Sequence, residues 1–210
     1  MKTFISPFGL SNQHHMDRIR ETLDKSLQEY PRTFVLNIIL RLPDENYEHY
    51  KADPKLITRF IESLKSQIEH TQKRKAAEGK RIRSCNVRYA WSREFGEEKG
   101  KKHYHVALML NNDVYCNAGT YYSIQGLYIH NLALMIMEAW VRTLCLNVTP
   151  DYQKYYPLVH FVKEGDFRLD KKGKNFEYYY SQLDRSLSYL TKLATKDSSD
   201  GMRNFGCSQS

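Results

Sequence analysis

Residues 82–110 read IRSCNVRYAWSREFGEEKGKKHYHVALML. Two β-prone runs, Ile82–Phe95 and His103–Leu110, flank a charged segment, Gly96–Lys102, that carries two glycines. That pattern predicts an antiparallel hairpin. Alternation puts Tyr89, Trp91, Tyr104 and Val106 on one face, as expected under a packed helix. Ala90, Ser92, Glu94, His103 and His105 share the other. A turn centred between Glu98 and Lys99 makes the numbers of opposed residues sum to about 197, so Glu94 faces His103 with Cβ atoms roughly 5 Å apart. A one-residue slip would turn Glu94 away. Glu97 and Glu98 fall at the tip.

Working outward, Asn111-Asn112-Asp113 ends the second strand with turn residues. Upstream, Asp53-Pro54 opens a helix to about Lys75, with Leu56, Phe60, Ile61, Leu64 and Ile68 on one side. Phe34–Leu42 is an apolar, β-branched strand stopped by Pro43. Ser11–Tyr30 is an amphipathic helix built on Met16, Ile19, Leu23 and Leu27. Downstream, His130–Leu146 is an apolar helix, Tyr156–Val162 a fourth strand and Phe176–Thr195 a last helix. After the first helix the order is β-α-β-β-α-β, then α. That is the ferredoxin-like, split βαβ order of an α+β fold: one antiparallel sheet, two crossover helices on one face, the other face free for a site or a further helix. The expected organisation is a helical segment over 1–33, a domain over 34–195 and an aperiodic tail over 196–210, docked through Phe205.

With 210 residues, 41% hydrophobic and 27% charged, the chain is neither disordered nor fibrous. The most apolar window, Asn131–Leu146, holds Glu138 and Arg142, so no membrane span is expected. The N-terminus is too polar after Leu10 for a signal peptide. Four cysteines without CxxC spacing indicate neither a zinc knuckle nor a disulfide framework, which fits a reducing compartment.

The formal charge is +8. Lys73–Lys102 holds eleven basic residues against four acidic ones, or +7 of that total. Such a run is often only a solvated surface. Its position beside the histidine pair points instead to nucleic acid, with Arg81, Arg83, Arg88, Arg93, Lys99, Lys101 and Lys102 as candidate contacts.

Two imidazoles at strand spacing can chelate a divalent ion, although eight histidines in 210 residues give about 0.3 such pairs by chance. Adding Glu94 makes a three-ligand set with open positions, suited to Mg²⁺ or Mn²⁺ holding a phosphate. On the last helix Tyr189 and Lys192 lie one turn apart, within reach of one phosphate. A phenol with a pKa near 10 becomes a useful nucleophile when a metal polarises the phosphoryl group and an ammonium stabilises the developing charge. The YxxK string by itself occurs by chance, and a half-buried structural tyrosine would also sit at the edge of the Leu183, Leu187, Leu190, Leu193 stripe. Other candidates are weaker. His14-His15 opens a helix and reads as exposed, and His160 reads as a core residue. Asn37 and Arg41 either flank the site or belong to the core and rim. Tyr178, Tyr179 and Tyr180 are packing or base-stacking residues.

The HYH strand and the YLTK helix resemble those of the HUH endonuclease superfamily of rolling-circle initiators, relaxases and related transposases. YAWSREF (89–95), KHYHVALMLN (102–111), NLALMIMEAW (131–140), YPLVHF (156–161), FRLD (167–170), LSYLTK (187–192) and MRNFGCS (202–208) together resemble the inovirus gene-two-product-like replication proteins, including the YagK/YfjJ prophage type. The resemblance runs from about Phe34 to the C-terminus. It implies a replication initiator that nicks and joins DNA at an origin, single-stranded or hairpin at the nick, with host replication machinery as a further partner. It also implies the cytoplasm of a bacterial host. His103 and His105 would be metal ligands, Glu94 the third, Tyr189 the nucleophile leaving a 5′-phosphotyrosyl link, and Lys192 the helper at the phosphate. The alternatives are a non-catalytic DNA-binding regulator on the same fold and a hydrolase that uses water rather than Tyr189.

Overall fold

The structure is a computed structural model and describes residues 2–96, 100–197 and 199–209. Its strands are β1 (Thr3–Ser6), β2 (Gly9–Asn12), β3 (Arg32–Arg41), β4 (Arg88–Phe95), β5 (Lys102–Asn111), β6 (Val159–Asp170) and β7 (Phe205–Cys207). Its helices are α1 (Gln13–Glu29), α2 (Tyr47–Lys51), α3 (Leu56–Ala77), α4 (Leu132–Thr143) and α5 (Phe176–Leu187), with 3-10 turns over Tyr152–Leu158 and Ser188–Thr191. The protein is therefore mixed α+β. A five-stranded sheet runs in the order β6-β3-β5-β4-β7, and every neighbouring pair is antiparallel.

The hairpin has the register read from the sequence, with Glu94 opposite His103 and Ser92 opposite His105. Period-2 alternation then divides the core in two. Phe34, Leu36, Leu40, Trp91, Tyr104, Val106 and Leu108 pack under α3 and α4 on one face. Trp140 of α4 is fully buried there, and its Nε1 donates to the Arg41 carbonyl at 2.7 Å. Val35, Ala90, Ala107 and Met109 pack on the other face under α1 and α5. The two alanines leave room for helices, and beyond them on the same face stand Ser92, Glu94, His103 and His105.

The N-terminal segment is more than a helix. Residues before Gln13 form the β1–β2 hairpin, turned at Gly9 (φ 100°), and Asn12 caps α1 by accepting from the His15 amide. The α1 stripe of Met16, Ile19, Leu23 and Leu27 is buried on the sheet, so 1–33 shares one core with the residues that follow. The expected tail also joins the fold. β7 adds to the β4 edge, where Gly206 lies so close to Trp91 that a Cβ would stand 2.8 Å from the indole.

Other boundaries moved for local reasons. Residues 82–87 form no strand, because their backbone groups bond to side chains: the Asn86 amide donates to Tyr30 Oη, and Asn111 Nδ2 donates to the Ser84 carbonyl. β6 starts at Val159, since Tyr156 and Pro157 sit in a 3-10 turn. It continues through Lys163–Asp166 by a register shift opposite Asn37, with Glu164 at φ 56°. The last α-helix stops at Leu187, so Tyr189 stands on the 3-10 turn that follows rather than on the helix.

Candidate active site

Glu94 is 1% exposed and is fixed by two hydroxyls. Ser92 Oγ donates to its Oε1 at 3.1 Å, and Thr195 Oγ1 donates to its Oε2 at 2.7 Å. His103 Nδ1 lies 3.1 Å from the Lys101 carbonyl, which can only accept, so Nδ1 bears a hydrogen and Nε2 is the ring atom left to ligate. His103 Nε2 and His105 Nε2 are 3.1 Å apart, and His105 Nε2 is 3.8 Å from Glu94 Oε2. One ligand atom from each of Glu94, His103 and His105 falls within 4.8 Å of the others. Two ligands at right angles, each ~2.1 Å from one ion, lie ~3 Å apart, so the imidazole pair fits a small divalent cation. Burial, helped by His103, Lys192 and Lys196, pushes His105 down to about 3. It is therefore neutral at ordinary pH, which is the ligating form.

Tyr189 is delivered to the same place by the turn after α5. Its ring centroid is 4.7 Å from that of His105, and Phe8 of the N-terminal hairpin meets it edge-on at 5.0 Å. Lys192 Nζ donates to Tyr189 Oη at 2.9 Å and lies 3.6 Å from Glu94 Oε2. Burial acts to lower the Lys192 ammonium, but the bond to Tyr189 and the charge of Glu94 outweigh it and hold the group above its ordinary value. Lys192 is therefore a cation pinned between carboxylate and phenol.

Sequence reasoning missed three contributors. Lys196 donates to the carbonyls of Leu190 and Lys192 at 2.6 and 2.7 Å and so ties down the Tyr189 turn. Burial lowers its ammonium to about 8. Thr195 orients Glu94. The β1–β2 hairpin bonds to the segment after Tyr189, the Leu193 amide donating to the Leu10 carbonyl at 2.9 Å. Only the apposition of Thr195 to the β4 edge, a long-range fact, marks these residues. Arg41, opposite His103 on β3, lines the same cleft as His103, His105 and Tyr189.

The basic set needs correction. Arg93 is 1% exposed and points into the α3/α4 side, following the alternation of β4. Its guanidinium bonds to Asp200, to Asn204 Oδ1 at 2.8 Å and to the carbonyls of Asp197 and Met202. Lys102 is also 1% exposed, its Nζ donating to the Lys51 and Asp53 carbonyls. Both hold the fold together and neither offers a surface to DNA. Arg88 pairs with Glu29 at 2.8 Å, Arg83 with Asp113 and Lys101 with Asp44. Arg81 is exposed, and Lys99, with Glu97 and Glu98, lies outside the described residues. His160 is exposed rather than core. His15 is half-buried, stacked on Phe205 with centroids 4.0 Å apart.

A family model described as the YagK/YfjJ C-terminal domain matches residues 1–208, so the similarity takes in the N-terminal hairpin and α1 as well. The chain is 33% identical over 215 aligned positions to YfjJ of Escherichia coli strain K12, covering 99% of each. It is also 33% identical to YagK of that strain, covering 100% of this chain and 99% of the relative. Both are described as uncharacterized proteins. No solved structure matches.

Proposed function

The chain belongs to the YagK/YfjJ C-terminal domain family, and from its site we propose that it is a metal-dependent DNA endonuclease and ligase of the HUH type, nicking one strand with Tyr189. The observation that carries this reading is the placing of Tyr189 Oη against Lys192, with the tyrosine ring 4.7 Å from His105 in the Glu94, His103, His105 cluster. The strand order β6-β3-β5-β4, antiparallel throughout, supports the ferredoxin-like arrangement, with α3 and α4 as crossovers on the face opposite the site.

Glu94, His103 and His105 would hold Mg²⁺ or Mn²⁺, which when bound supplies positive charge to the non-bridging oxygens of a phosphodiester. The ammonium of Lys192 stabilises the phenolate of Tyr189 as its proton leaves to solvent. The phenolate oxygen attacks phosphorus, the bond from phosphorus to the 3′ oxygen breaks, and that oxygen takes a proton from solvent. The 5′ phosphate is then esterified to Tyr189. One phosphodiester replaces another, so attack by the 3′-OH rejoins the strand with no nucleotide cofactor. Free 3′-OH ends extended by host replication enzymes, at an origin in a bacterial cytoplasm, complete the proposed role.

The test is a denaturing gel of the protein incubated with single-stranded DNA and Mn²⁺. A covalent protein–DNA adduct that disappears in Tyr189→Phe is the expected result. Undiminished cleavage by Tyr189→Phe would refute the tyrosine mechanism in favour of water. Binding with no cleavage by the wild type would make the protein a DNA-binding regulator.

A further inference from the structure

Beside the tyrosine lies a second groove that the chemistry above does not use. One wall is the exposed side of α5, carrying Tyr178, Tyr179, Gln182, Arg185 and Ser186, and the other is β6 from Val162 to Arg168. Phe8 lines this groove and meets the Tyr189 ring edge-on, so the groove adjoins the candidate active site.

Its walls differ in chemistry. Tyr178 and Tyr179 are 62% and 47% exposed, with ring centroids 5.3 Å apart, and neither joins a hydrophobic cluster. Two adjacent tyrosines left in water are a poor use of apolar surface unless something flat lies on them. Arg185, between them and Tyr189 in the chain, is exposed, and among the described residues no ion pair engages it. On the β6 wall Asp166 is held by Arg168 at 3.1 Å, and Glu164 accompanies Lys163. From Tyr178 to Tyr189 is eleven residues, about 16 Å along a helix axis and room for a few nucleotides.

We propose that this groove binds the single-stranded DNA next to the scissile phosphate, with bases stacked on Tyr178, Tyr179 and Phe8 and the backbone phosphate on Arg185. The assignment rests on the nicking reading for its direction but not for its chemistry. Aromatic faces accept any base, so the groove contributes affinity rather than sequence choice. A duplex, whose bases are already stacked, gains nothing from the tyrosines.

The test is fluorescence anisotropy of labelled oligothymidylate with wild type, Tyr178→Ala/Tyr179→Ala and Arg185→Gln, in EDTA so that no cleavage intervenes. The tyrosine variant is expected to bind about tenfold or more weakly. Arg185→Gln is expected to bind more weakly with a shallower salt dependence. Exposed positions leave folding intact, checked by circular dichroism. Unchanged affinity in both variants, or no binding by the wild type, overturns the assignment, as does equal loss with a labelled duplex. Unchanged affinity in the variants with adduct formation intact removes the groove alone. Loss of the adduct in Tyr189→Phe together with weakened binding in the groove variants supports both readings, whereas a groove effect without any adduct leaves the groove standing and removes the nickase.

Discussion

Replacing a carboxylate that could bind metal usually relieves repulsion in the metal-free protein, and Glu94→Gln should do the opposite here. Glu94 is buried against cations rather than against other acids, since Lys192 Nζ stands 3.6 Å from its Oε2 and the side chain is 1% exposed. At an effective dielectric of about 20, that separation corresponds to an attraction of about 4–5 kcal/mol, much of which desolvation of the two groups offsets. Glutamine keeps the shape and one acceptor for Ser92 or Thr195, but turns an amide toward a buried ammonium. A net loss of about 2 kcal/mol follows, which for a chain of this length lowers the melting temperature by about 4–8 °C. The assay is a thermal melt in EDTA, repeated with Mn²⁺. Wild type should gain stability with the ion, by about 2.7 kcal/mol at a hundredfold excess over the dissociation constant. Glu94→Gln should begin lower and gain little. A variant that melts at or above wild type in EDTA would refute the ion-pair reasoning, and an equal Mn²⁺ gain in both proteins would refute the ligand role.

Lys192→Met removes the donor 2.9 Å from Tyr189 Oη and should slow adduct formation about 10–100-fold, measured under single-turnover conditions, with little change in DNA affinity. Arg93→Met strips the partner from Asp200 and should cost at least about 2 kcal/mol in urea unfolding while leaving DNA affinity unchanged, the reverse of what a DNA-contacting arginine would show. His15, lowered by burial to about 4 from 6.5, makes the unfolded chain bind the extra proton between those values, so stability falls as pH drops through that window. Urea midpoints from pH 7 to 4 should therefore fall less steeply in His15→Phe, which keeps the stacking on Phe205.

What could be read from the sequence was what depends on alternation. The hairpin between Arg88 and Asn111 has both a clear period of two and a charged break, and together these fix which residues face one another. That is why Glu94, His103 and His105 could be grouped from one strip of sequence. The succession of strands and helices from β3 to β6 followed from short apolar runs separated by helical periods. β7 was not legible, because Phe-Gly-Cys is too short to show any period and is a strand only through its pairing to β4. Nor was the β1–β2 hairpin, whose Ile5 and Leu10 remain exposed and so leave no buried stripe to detect. The turn that carries Tyr189 is held by Lys196 bonding back to the Leu190 and Lys192 carbonyls, a partner the local sequence cannot reveal.

The charge surplus shows how far composition alone can lead. The run from Lys73 to Lys102 has no acidic block beside it in the sequence, yet the fold brings one acid at a time from distant positions: Glu29 to Arg88, Asp113 to Arg83, Asp44 to Lys101, Asp200 to Arg93. A basic run partly neutralised in this way attracts a polyanion less at short range than its formal sum suggests. On the proposed reading, the cations placed to meet a phosphate are the ones near Tyr189: Lys192 and Lys196 after it in the chain, Arg41 lining the same cleft and Arg185 on α5. None of these lies in the run. Affinity for DNA should therefore respond to Arg41 and Arg185 more than to Arg83 or Arg88, because an ammonium or guanidinium already committed to a carboxylate must give up that partner before it can take a phosphate.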